Sequence, residues 1–267
     1  MKSTTGIGLA NVQGVYGGPE GRLWELVMGE QIHIGGLASS MDLAETAQIT
    51  AESRGVDLCC CSGAGMRFLV RFRKVARMTG VDATTRMVQL GRQRCADEGL
   101  ADRIEFVEAE ATATALPDGE ADFVWGEDAW CYVADKPALI AEAARLLRPG
   151  GTVAFTDWIE GPAGLDDAPA ERFLKFMKFP NVQDLDGYRA LLEAAGCDVL
   201  VAEDTGRFAP HVDLYLNMLN MQLTYDALKI IGFDRDLMAA MGGEMRFMRH
   251  LAHDGRIAQG MFVARKR

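Results

Sequence analysis

Val56-Asp57-Leu58-Cys59-Cys60-Cys61-Ser62-Gly63-Ala64-Gly65-Met66-Arg67 is the stretch whose reading decides the fold. With Gly55 in front of it, its first half is a short apolar run of strand type. Its second half is a glycine-bearing turn that opens a helical pattern over 66–75. A strand-to-helix turn of this kind lets a ligand approach the backbone and presents free N–H groups at a helix start, which Gly63 and Gly65 can supply. A plain tight turn would also use Gly-x-Gly, so the neighbouring sequence has to separate the two readings.

Downstream, Ala76 to Asp82 reads as a second strand, Thr85 to Glu98 as a helix, Ile104 to Ala109 as a third strand and Ala121 to Trp125 as a fourth. Lys136 to Leu147 has amphipathic helical spacing that Arg148-Pro149-Gly150-Gly151 stops, and Thr152 to Thr156 is the next buried strand. Such alternation predicts an α/β domain with a parallel sheet and helices on both faces. Pro162 to Pro180 breaks the rhythm with proline, glycine and acidic residues, and is read as a substrate-covering insertion near 160–185. Asp186 to Ala195, Cys197 to Glu203, one long helical stretch from Asp213 to Leu251, and Gln259 to Ala264 complete a helix, strand, helix, strand series. Upstream, residues 1–50 hold too many glycines for one long helix, show a short apolar turn at Leu23 to Met28, and regain helical spacing only at Met41 to Ala51. They are read as an N-terminal cap or lid, and 51–267 as the main domain.

Composition excludes several function classes. A net charge of -10 repels phosphate backbones, which argues against nucleic acid as partner. No apolar run reaches the length of a membrane span and the N-terminus lacks a signal pattern, so a cytoplasmic monomer or homodimer acting on a small molecule is expected. The adjacent Cys59, Cys60 and Cys61 cannot all pair, which points to reduced thiols. The four histidines are scattered and no C-x-x-C pair occurs, so no metal site is expected.

Two further strand ends give the glycine turn its context. Asp82 closes the second strand, where a carboxylate can accept both hydrogen bonds of a ribose diol. Glu108-Ala109-Glu110-Ala111-Thr112 follows the third and offers an acidic acceptor among small residues, suited to lining an adenine. Each acid alone is an ordinary solvated loop charge. Three in order fall on the carboxyl edge of one sheet, where ligands of α/β folds bind, and together they predict a nucleoside site.

The order Asp57…Gly63, Asp82, Glu110-Ala111, Asp122-Phe123-Val124-Trp125 and Leu147-Arg148-Pro149-Gly150-Gly151 resembles the class I S-adenosylmethionine (SAM)-dependent methyltransferases over residues 50 to 160. Gly29-Glu30-Gln31-Ile32-His33-Ile34-Gly35 and Gln259 to Arg265 look like the subgroup of glycine, sarcosine and dimethylglycine N-methyltransferases and related sugar and natural-product enzymes. The resemblance implies a Rossmann-like seven-stranded sheet and methyl transfer to nitrogen, oxygen or sulfur of a small molecule. It also implies that Asp57, Cys59 and Gly63 flank the methionine part, Asp82 and Ala83 the ribose, and Glu110 and Ala111 the adenine, with Glu127 or Asp128 as the next wall. The family motif reads roughly Asp-x-Gly-x-Gly-x-Gly, and here its first two glycine positions are Cys59 and Cys61. Two readings stay open: a reshaped pocket with soft sulfur contacts, or β-compatible positions that tolerate a small hydrophobe. The altered turn also keeps two alternatives alive, a fold repurposed for a folate or other one-carbon carrier in demethylation or dehalogenation, and a non-catalytic binding subunit.

Acceptor-side candidates lie in the cap and beyond the fourth and fifth strands. Tyr16, Trp24, Trp130 and Tyr132 are aromatics that can wall a substrate or favour a sulfonium through cation–π attraction. His33, among apolar residues, reads equally as a catalytic or a structural histidine. Related enzymes carry histidine where Tyr132 stands, and tyrosine is a poor base near neutrality. Asp157, taken as closing the fifth strand, matches a carboxylate that faces the acceptor in similar sugar methyltransferases. It is the expected general base, with capping of the next turn as its structural role.

Overall fold

The structure of the protein, a computed structural model, describes residues Met1–Arg267. In chain order its elements are β1 (Lys2–Ser3), α1 (Leu9–Gly17), α2 (Pro19–Met28), α3 (Gly36–Thr46), β2 (Arg54–Leu58), α4 (Ala64–Phe68), β3 (Arg77–Asp82), α5 (Thr85–Asp97), β4 (Ile104–Glu108), β5 (Ala121–Glu127) and α6 (Lys136–Leu146). They continue with β6 (Leu147–Glu160), α7 (Asp167–Met177), β7 (Asn181–Val182), α8 (Leu185–Ala194), β8 (Cys197–Asp204), α9 (Phe208–Asn220), α10 (Thr224–Ile230), α11 (Arg235–His253) and β9 (Ile257–Lys266). The apolar runs of β2, β3 and β5 are buried on both faces, as parallel strands covered by helices must be.

Seven strands form one sheet in the order β4-β3-β2-β5-β6-β9-β8. The first five are mutually parallel and β9 runs antiparallel between β6 and β8, so the all-parallel expectation is corrected at that edge. The strand order reverses between β2 and β5, which opens a crevice at their carboxyl ends. One face is filled by Leu58, Val124, Leu139 and Leu192, the other by Leu43, Met66, Val88 and Phe123. A third apolar cluster holds α7, α9 and α11 over the crevice through Trp158, Phe173, Phe179, Phe208 and Met248, and reaches the cap at Val27 and Ile34.

Local chemistry explains the helix starts. Asp135, Asp184 and Asp234 accept backbone N–H groups at the first turns of α6, α8 and α11. Two strand and helix boundaries differ from expectation. The continuous helix expected over 213–251 is three helices, with Gly232 and Phe233 both left-handed at the second break. The strand expected to end at Thr156 runs on to Glu160, because β9 supplies an antiparallel partner over Thr152↔Arg265 through Glu160↔Ile257. Leu147 already pairs with Ala121, and Arg148 to Gly151 form an irregularity inside β6.

Candidate functional site

The turn after β2 alternates its backbone hand. Cys59 (φ 64°), Cys61 (φ 51°) and Gly63 (φ 75°) are all left-handed, a conformation that costs an L-residue about 1 kcal/mol. These are not β-compatible positions, which corrects the bland reading of the cysteines. The conformation is held from outside the turn: Cys60 N–H donates to Val81 O (3.1 Å), and Cys61 N–H donates to Asp82 Oδ2 (2.9 Å). Burial pushes all three thiols up, so they stay protonated at neutral pH and are poor nucleophiles. Cys59 and Cys61 nonetheless stand on the wall of the cavity described next, and Cys61 Sγ rests 3.5 Å from Met87 Sδ.

The cavity occupies the crevice at the carboxyl ends of β2, β3, β4 and β5, with a volume of about 350 Å³. Asp82, at the end of β3, is half-buried on its wall, and its other oxygen accepts the Thr84 amide at 2.8 Å. Burial raises this carboxyl, while the two amide hydrogen bonds pull it back down. Ala83, Glu110, Ala111 and Thr112 continue the wall, with Glu110 exposed to solvent.

At the other side of the turn, three polar groups converge on Gly65. A Cβ there would come within 2.5 Å of Glu127 Oε2, 3.2 Å of Trp125 Nε1 and 3.5 Å of Asp57 Oδ2. The Trp125 N–H is buried without an acceptor. Asp57 receives no hydrogen bond from the protein, and burial, with Glu127 and Asp82 beside it, holds its carboxyl well above the usual range. Glu127 accepts the Ser40 hydroxyl at 2.5 Å, and His33 Nε2 lies 3.3 Å from the same Glu127 oxygen. His33 Nδ1 sits 3.4 Å from Ile34 O, so both ring nitrogens are engaged by protein although the residue lines the cavity. The arrangement gives His33 a structural task, tying the cap loop to the end of β5, while the ring remains on the cavity wall.

Asp128 performs the same task more strongly. Its carboxylate accepts the Ile34 amide (2.7 Å) and both contacts of Gln259 Nε2 (3.0 and 2.8 Å), while Gln259 also donates to Ile34 O (3.0 Å). The cap is further pinned through Gln13 to Ala83 O (2.7 Å) and through Arg94 and Arg67, which reach Glu25 and Glu30. Those two arginines also hold Ser62 in the cysteine turn. Sequence reading missed Gln13, Gln259 and both arginines. The only available signal was a pair of cationic side chains on otherwise apolar helical faces.

Tyr16 from α1 and Tyr132 meet on one wall of the cavity, the Tyr16 hydroxyl donating to the Tyr132 oxygen at 3.1 Å and the rings edge to face at 5.6 Å. Burial raises both phenols well above neutrality. Both tyrosines, with Ile32 and Asp128, also border a small adjoining cavity walled by Trp24, Met28, Trp158 and Met177. Trp24 therefore lies one step beyond the main cavity. Trp130 lines neither: it is fully buried, stacks on Phe155 at 4.1 Å and donates to Leu58 O at 3.1 Å, which corrects its reading as a substrate wall. Asp157 is also outside. Instead of ending β6 it pairs with Gly260 in mid-strand, fully buried, accepting Cys131 N–H (3.0 Å) and the Tyr188 hydroxyl (2.5 Å). Its expected place facing the acceptor is thereby corrected.

Residues 56–155 match the family model described as a methyltransferase domain. Methyltransferase GfsG of Streptomyces halstedii is 31% identical over 177 residues, 64% of this chain and 63% of that protein. Phosphoethanolamine N-methyltransferase 1 of Arabidopsis thaliana is 26% identical over 203 residues, 75% of this chain and 39% of that protein. The chain spans less than two thirds of the length of these curated relatives. A crystal structure described as a putative sarcosine dimethylglycine methyltransferase from Galdieria sulphuraria superposes with a TM-score of 0.83 at 22% identity, covering 93% of this chain and 98% of that one. The α/β fold is thus the Rossmann-like fold of methyltransferases, with seven strands as expected.

Proposed function

We propose that this chain, which carries a methyltransferase domain over residues 56–155, is a class I SAM-dependent methyltransferase acting on a small-molecule acceptor. The observation that carries the reading is Asp82, a half-buried carboxylate on the cavity wall beside the sheet's switch point, with two acceptor positions taken by backbone amides and the others open to a ribose diol. The other donor groups fit the same ligand. Ala111 and Thr112 leave a flat wall beside Glu110 for an adenine and its amino group. Asp57, Glu127 and the unpartnered Trp125 N–H complement an ammonium and a carboxylate, and Gly65 lets the Glu127 carboxylate approach the turn where a Cβ would collide with it. The likeness of scaffold to the sarcosine and dimethylglycine enzymes supports placing the chain beside that subgroup.

SAM would supply an electrophilic methyl group on a sulfonium. The protein's share is placement: holding the acceptor lone pair in line and excluding water is the main source of rate for such a transfer. Tyr16 and Tyr132 close the wall between the two cavities, and as protonated phenols they orient an acceptor rather than deprotonate it. Asp128 and Gln259 hold the cap loop that roofs the site. Isothermal titration with SAM and S-adenosylhomocysteine tests the reading directly: micromolar binding of either is expected, and absence of binding by both ends it. Relatives named for methyl transfer give the folate and scaffold alternatives no support.

A further inference from the structure

Resting on that reading, we infer that the acceptor is an apolar molecule presenting an uncharged hydroxyl or amine, and that phosphate esters are excluded. Every charged side chain on the wall of the main cavity is a carboxylate: Asp57, Asp82, Glu127 and Asp128 buried or nearly so, with Glu30, Glu110 and Asp135 exposed. No lysine or arginine lines it. The adjoining cavity beyond Tyr16 and Tyr132 is walled by Trp24, Met28, Ile32, Trp158 and Met177, and its one charged member, Asp128, is already saturated by Ile34 and Gln259.

Cations close to the site are spent elsewhere. The buried Lys136 donates to the carbonyls of Val133 (2.5 Å) and Cys131 (3.4 Å) and does not line the cavity. Arg67 and Arg94 are consumed by Ser62, Glu25 and Glu30. A phosphate dianion entering here would lose its hydration, meet no guanidinium or ammonium, and face carboxylates of its own sign. The adjoining cavity itself has room for about one water, about 10 Å³, so an apolar body would instead replace water against Leu9, Val12, Ile32 and Val133 of the main cavity, with the two phenols available to its polar end. The acidic wall suits the sulfonium donor for the same reason that it repels a phosphorylated acceptor.

The test uses two ligands on one skeleton, phenethyl alcohol and phenethyl phosphate, each titrated into the protein saturated with S-adenosylhomocysteine. The alcohol is expected to bind about 100-fold or more tightly than the phosphate, the penalty of an unpaired buried charge. Equal or tighter binding of the phosphate overturns the inference, as does failure of the alcohol to bind the saturated protein. If S-adenosylhomocysteine itself does not bind, the donor reading fails first, so the two failures are separable.

Discussion

Asp82 and Asp157 are both carboxylates that follow a run of strand residues, yet they do opposite things. Asp82 ends β3 at the outer edge of the parallel part of the sheet, where no strand continues beyond it, and its side chain opens on the cavity. Asp157 lies in β6, which β9 prolongs by antiparallel pairing, and it faces Tyr188 of α8 beneath the site. The lesson is that a strand-end acid is functional only if the strand ends there. A parallel neighbour stops where its own crossover begins, whereas an antiparallel partner carries the ladder past the active edge and turns the same residue type into a core tie.

The sharpest way to break this comparison is pH. Burial pushes Asp157 up to about 6, partly countered by Lys136 and by the Tyr188 hydroxyl. An unfolded aspartate titrates near ~3.9, so between these values the folded state binds the extra proton and stability falls as pH rises, by about 3 kcal/mol in all. Denaturant melts of the parent and of Asp157→Asn from acid to neutral pH should therefore differ in slope by about that amount, with the variant gaining relative to the parent as pH rises. Turnover of the variant should stay within a few-fold of the parent. A loss of ~10²-fold or more at unchanged cofactor affinity would restore the base role to Asp157.

Asp82→Asn tests the other half of the comparison. It keeps size but can accept only one of the two amides, Cys61 or Thr84, that now donate to separate oxygens, and it removes the charge that strengthens hydrogen bonds to a diol, so S-adenosylhomocysteine affinity should fall by about 2 kcal/mol or more. Calorimetric affinity equal to the parent's would take Asp82 out of the site. Gln259→Ala probes the tie between cap and sheet. The Ile34 amide, which donates to Asp128, should exchange about tenfold faster once Gln259 no longer braces that carboxylate, a cost of ~1.4 kcal/mol in local opening. Exchange at the parent rate would show that Asp128 holds the loop alone.

Legibility followed sequence distance. The strand and helix order from Val56 to Phe155 was readable because each parallel strand is a self-contained apolar run closed by glycine, proline or an acid. Asp82, Glu110 and Ala111 could be assigned to the crevice for the same reason, since a strand's carboxyl end is a local property. His33, Asp128 and Asp157 were opaque because their partners, Glu127, Gln259 and Tyr188, stand 94, 131 and 31 residues away. The second break in the 213–251 region was signalled by Gly232 and by the Asp234 cap, which sequence reading passed over, whereas the left-handed backbone of Phe233 beside them has no propensity signal.

The smallest effect concerns the cysteine turn, and it separates the two meanings of a left-handed cysteine. If the backbone at Cys59 and Cys61 is fixed at positive φ by the Val81 and Asp82 contacts, then alanine at either position keeps the strain and glycine removes it. Glycine gives back some of that gain through the greater freedom of its unfolded chain, so at each site the glycine variant should be more stable than the alanine variant by about 1 kcal/mol. Comparing the two variants cancels the lost thiol packing, including the Cys61–Met87 sulfur contact, which both lack. At a β-compatible position the order reverses, since alanine loses less entropy on folding and nothing is relieved by glycine. Chemical melts of the four single variants read this difference directly. Alanine equal to or above glycine at both sites would mean that the turn relaxes to ordinary backbone, and the reading of a pocket reshaped by these cysteines would lose its structural basis.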